Sequence, residues 1–240
     1  MCMLCRQTPG LVSRRALGLF AISSAALLLA SGAEAKEKAP PKPENKLSPD
    51  AALKRLLKGN ERYVKGVMQR HDFKRDREAL VGSQNPYAAV LSCADSRIAP
   101  EYAFDSSRGD LFVCRVAGNF AADETIASLE YAVAVLGTPL ILVLGHDGCG
   151  AVDATIKSLK DDKPLPGHMP SLVQAIAPAV KAVSSRGGDP LASAIRQNVI
   201  DNVAKLRSSS PILSSAVNDK KLQVAGGIYR LNSGKVELVG

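Results

Sequence analysis

At 240 residues, with 46% hydrophobic and 22% charged content, the chain has the size and composition of one globular domain, which excludes a fibrous or wholly disordered protein. The 31 lysines and arginines outnumber the 23 acidic residues, giving a net charge of +8, but they are scattered and aromatics amount to only 4%. That pattern does not mark a nucleic-acid-binding surface.

Residues 1–35 carry the three parts of an export signal in order. Arg6, Arg14 and Arg15 make a basic start, 16–30 is apolar but short for a permanent span, and Ala33-Glu34-Ala35 suits a signal peptidase. The segment SRRAL (13–17) matches a twin-arginine signal, with Leu17 where Phe is commoner, and points to a periplasmic or secreted protein exported already folded. No stable membrane anchor is expected after its removal; an uncleaved N-terminal anchor is the alternative. Cys2 and Cys5, spaced C-x-x-C, leave with the signal. Cys93, Cys114 and Cys149 remain, an odd set that makes no disulfide framework, and metal ligation would protect two of them in an oxidising compartment.

Residues 36–47 hold Pro40, Pro41 and Pro43 among mixed charges and read as a flexible linker, leaving 48–240 as a single domain. Ser48, Pro49 and Asp50 open a helix whose stripe is Leu53, Leu56, Leu57, Tyr63 and Val64 and which stops near Gly66. This N-terminal helical arm should not bury its stripe well alone, and so is expected to embrace a partner subunit. Apolar runs at 87–91, 111–116 and 139–144 read as buried strands, and 123–136 as a helix with Ile126, Leu129, Ala132, Val133 and Leu136 on one face. Further helices are expected from Cys149 or Gly150 to about 159, at 171–184 and at 189–207, the last two opened by capping residues. The chain closes with a strand at 222–231 and a hairpin through 232–234 to 236–239. Strands of this kind alternating with helices predict an α/β fold, a mostly parallel sheet covered on both faces.

Cys93, Asp95 and Arg97 follow the first strand in a C-x-D-x-R pattern, and His146 and Cys149 follow the third as H-x-x-C. Carboxyl ends of parallel strands are where such sheets bind ligands, so two distant segments can meet there. Two thiolates and an imidazole suit zinc, and three protein ligands leave a fourth position for water. Taken singly, each residue also has a plainer use: a buried Cys as a small hydrophobe, a strand-end His as a satisfied polar group. Cys114 lies inside a strand and reads as a core or interface residue, while His71 and His168 read as solvated histidines.

CADSR (93–97), GDLFV (109–113), RVAGN (115–119), SLEY (128–131) and GHDGCGAV (145–152) together resemble the β-class carbonic anhydrases, over about 53–239. The resemblance implies reversible hydration of carbon dioxide to bicarbonate and a proton by a hydroxide on one zinc ion per subunit, held by Cys93, His146 and Cys149. Bound zinc brings water to a pKa of about 7. Asp95 stands two residues from a ligand, within reach of that water, and Arg97 can hold its carboxylate. The resemblance implies that this pair orients the hydroxide, and that in some members the Asp swings onto zinc as a fourth ligand and closes the site. It also implies a homodimer or tetramer. Some members carry an inhibitory bicarbonate site of Trp, Arg and Tyr; here Arg115 matches the Arg but Val90 stands at the Trp position. An open site and no such regulation are therefore expected. Two other functions fit the same ligands: hydrolysis of carbon disulfide or carbonyl sulfide by the same zinc hydroxide, and a non-enzymatic zinc or redox sensor, which would need a closed fourth ligand.

Overall fold

Ser48 opens the first helix of the computed structural model, which describes residues 46–209 and 211–239. The expected export signal and linker residues 36–45 lie outside the described residues. In α1 (Pro49–Val64) the Ser48 hydroxyl accepts the Ala51 N–H at 3.3 Å, Pro49 supplies a preset φ in the first turn, and Asp50 faces the positive helix end. Short helices α2 (Phe73–Ala79) and α3 (Pro100–Ala103) follow.

The expected stripe is borne out in part: Leu56 is buried and Leu53 and Tyr63 pack half-buried against the same core, but Ala52, Gly59 and Asn60 share the inner face and Val64 is 42% exposed. A close crossing is the cause. A Cβ on Gly59 would lie 1.8 Å from the Phe104 carbonyl oxygen, so α1 meets the backbone after α3 through glycine. Asn60 then satisfies the polar groups around it, donating to the carbonyls of Ala103 (2.9 Å) and Gly234 (2.8 Å) and accepting the Val236 N–H at 2.8 Å. α1 thus buries this face on its own chain.

The sheet comprises β1 (Ala88–Ser92), β2 (Leu111–Arg115), β3 (Leu140–His146), β4 (Gln223–Tyr229) and β5 (Val236–Val239), ordered β2-β1-β3-β4-β5. All neighbours are parallel except the final hairpin. β1 and β3 are buried along their whole length, which is why they read as unbroken apolar runs. Alternate side chains enter opposite cores: Ala89, Leu91, Ile141 and Val143 one, Val90, Leu140, Leu142 and Leu144 the other. The first core is closed by α4 (Asp123–Ala134), α5 (Gly150–Lys160), α6 (Pro170–Val183), α7 (Pro190–Ser208) and α8 (Ile212–Asn218). The second lies under α1 and α3. Each fully buried Leu or Ile contributes roughly 1.5–3 kcal/mol. Asp189 caps α7 as expected, accepting the N–H groups of Leu191 and Ala192, but α6 has no side-chain cap: Ser171 donates to the His168 carbonyl instead. Among the described residues no helix is long and apolar enough to cross a membrane.

The strand order fixes where a ligand can sit. From β1 the chain steps outward to β2, then returns past β1 to β3, so the order reverses between β1 and β3 and opens a crevice at their carboxyl ends.

Candidate metal centre

Cys93 is the first residue beyond β1, and His146 is the last of β3, both at that crevice. Gly148 turns the chain there with φ 61°, a left-handed conformation that glycine adopts without strain, and this brings Cys149 to the N-cap of α5. The ligand atoms of Cys93, His146 and Cys149 lie within 4.8 Å of one another and all three residues are buried. The two sulfurs are 3.9 Å apart. Two thiolates at about 2.3 Å from one tetrahedral ion would stand about 3.8 Å apart, so the spacing fits a shared zinc.

The imidazole is oriented for the same purpose. His146 Nδ1 pairs with the Asp147 carbonyl at 2.9 Å, turning Nε2 inward, where it is buried without a hydrogen-bond partner. Sequence alone names no partner for that ring, because the acceptor is a backbone atom. An unpaired buried nitrogen beside two thiols is the donor set of a metal site. The two thiols also share charge. Hydrogen bonding with Cys149 favours the Cys93 thiolate, and the same contact with burial pushes the Cys149 thiol up. A dication between them would hold both as thiolates.

Asp95 and Arg97 form a two-point pair, Nε to Oδ1 at 2.9 Å and Nη2 to Oδ2 at 2.7 Å, and the Arg97 N–H adds a third bond to Oδ1 at 2.9 Å. Arg97 holds the Asp95 carboxyl well below the usual carboxylate range, against the opposing effect of burial. Its Oδ2 stands 3.9 Å from His146 Nε2, beside the ligand atoms but committed to Arg97.

Arg115, matched from sequence only to an inhibitory site, clamps this loop: Nε donates to the Cys93 carbonyl at 3.0 Å and Nη2 to the Asp95 carbonyl at 2.7 Å. Val90 is wholly buried in the sheet, on the α1 side. The Gly118 N–H reaches the Cys93 sulfur at 3.3 Å. Arg230 bridges Asp147 (2.7 Å) to Glu237 (2.8 Å), tying the turn after His146 to the terminal hairpin, a role no sequence signal marked. Cys114 is half-buried on β2, packed against the core, away from the ligand group. His168 is exposed as expected, but His71 is not solvated: its Nε2 pairs with the buried Asp105 carboxylate at 3.0 Å.

The carbonic anhydrase family model matches residues 88–236, and the chain belongs to that family. It is 38% identical over 192 residues to carbonic anhydrase 2 of Mycobacterium tuberculosis, covering 80% of this chain and 93% of that protein. The carbonic anhydrase of Mycolicibacterium smegmatis is 37% identical over the same length and coverage. Among solved structures the fold is that of the β class. The β-carbonic anhydrase CcaA superposes with a TM-score of 0.60 at 26% identity, covering 78% of this chain and 91% of that one.

Proposed function

We propose that the protein catalyses the reversible hydration of carbon dioxide to bicarbonate and a proton, with zinc held by Cys93, His146 and Cys149. One observation carries the proposal: a buried Cys, His, Cys group with ligand atoms within 4.8 Å, bordered by a carboxylate that Arg97 holds aside. Zinc bound there supplies a Lewis acid that ionises water near neutral pH. Asp95, kept ionised by Arg97, would accept the O–H of a hydroxyl in the crevice and so orient its oxygen toward carbon dioxide. Arg115 keeps the Cys93–Asp95 backbone in place while this happens. With Asp95 committed to Arg97, no fourth protein ligand would be offered to a metal held by the three residues, which favours catalysis over a closed sensor site.

An Asp95→Ala variant should keep its zinc and lose hydration by about 100-fold or more, measured by stopped flow. Retained activity with full zinc would remove Asp95 from the mechanism. Export through the twin-arginine route belongs to the same proposal, resting on Arg14 and Arg15. So does self-association: β2 ends the sheet with its strand only half-buried, an edge that a second copy would cover.

A further inference from the structure

Resting on the zinc site proposed above, we propose that Asn198, Asn202 and Lys205 of α7 are positioning residues for Cys93. They fix the loop whose Gly118 N–H bonds its sulfur, and so set how strongly that sulfur donates to the metal.

The observation that calls for explanation is polar. α7 lies on β3 and β4 and buries Ala194, Ile195, Val199 and Leu206, yet the same helix also buries Asn198 and Asn202, 1% and 6% exposed. Carboxamides enter a core only when their atoms are paired. Here the pairing runs in one direction. Lys205 Nζ donates to the Ala121 carbonyl at 2.6 Å, and Asn202 Oδ1 accepts the Ala121 N–H at 2.7 Å. Asn202 Nδ2 donates to Asn198 Oδ1 at 3.1 Å and to the Asn198 carbonyl at 2.7 Å, which leaves Asn198 Nδ2 to donate to the Gly118 carbonyl at 2.8 Å. Spacings of four and three residues put the three side chains in one row on the helix.

The loop they hold needs holding. Gly118 and Asn119 have φ of 88° and 42°, two successive left-handed residues, and a Cβ at Gly118 would meet Ile176 Cδ1 at 2.5 Å. Bonds from α7 at both ends of this turn aim the Gly118 N–H at the Cys93 sulfur, 3.3 Å away. A hydrogen bond to a thiolate withdraws charge from it, leaving a bound metal more electron-poor.

The test loads the full chain with cobalt(II) in place of zinc and reads the thiolate-to-cobalt charge-transfer band. Asn198→Ala should move that band to lower energy, because the sulfur donates more strongly once the Gly118 N–H is no longer aimed at it. The control is Asn60→Ala, which deletes an equally buried amide on the opposite face of the sheet. It should lower thermal stability and leave the band where it was. An Asn198→Ala spectrum coincident with the parent, or an equal shift in both variants, overturns the proposal. If Asn198→Ala does not fold, Lys205→Met decides: a smaller shift in the same direction supports the row, no shift overturns it. A parent chain with no charge-transfer band at all would instead remove the zinc site itself, a failure distinct from that of α7.

Discussion

Arg115 lies at the end of β2 and contributes no ligand atom, yet it holds two successive points of the loop that carries Cys93 and Asp95. Losing it should loosen both the metal and the carboxylate. Arg115→Met is expected to weaken zinc binding about tenfold or more and to reduce hydration per bound zinc, checked by competition with a chromogenic chelator and by stopped flow. Unchanged zinc affinity would contradict the clamp. At this scale the sequence was informative where chemistry is rare. Cys93, His146, Cys149, Asp95 and Arg97 are residue types with few other reasons to follow buried strands. Arg115 and His71 were not legible, because their partners are distant in the chain: backbone carbonyls for one, and for the other Asp105, 34 residues on and held at φ 43°.

Element by element, the long buried strands were recoverable because burial on both faces demands continuous apolar sequence. α2, α3 and α8, of 4 to 7 residues, are too short to show a helical period. α1 was legible in part. Its stripe located Leu53, Leu56 and Tyr63 against the core, but close approach through Gly59 and the three bonds of Asn60 bring those two inward as well, and neither residue counts in a hydrophobic pattern. Gly59→Ala should therefore destabilise the domain by about 3 kcal/mol, since the added methyl meets backbone that cannot rotate away. Equilibrium denaturation measures this, and a change within about 0.5 kcal/mol would show that α1 can shift without cost.

For the molecule as a whole, acid stability should depend on Asp105. Burial raises its carboxyl, but hydrogen bonds from Arg62, the Gln69 N–H and His71 outweigh burial and hold it below the usual range. In the unfolded chain this group titrates near about 3.9. Its contribution is thus complete above that pH and is lost as pH falls through the lower folded value. The melting temperature should drop as pH is taken below about 4, with a shallower slope in Asp105→Asn, whose own stability at neutral pH should be lower by about 3–5 kcal/mol. Equal slopes in the two proteins would place the acid sensitivity elsewhere. The α/β architecture and the meeting of the ligand strands followed from the sequence because one sheet edge had to collect both motifs; the α7 row did not, because asparagine in a helix marks no partner by itself. The central claim is that three buried side chains hold a zinc that hydrates carbon dioxide. Zinc content and carbon dioxide hydration, measured on the same purified protein before and after chelation, test it most directly: one zinc per chain with hydration that disappears on chelation and returns with zinc is the predicted result, and stoichiometric zinc without hydration would contradict it.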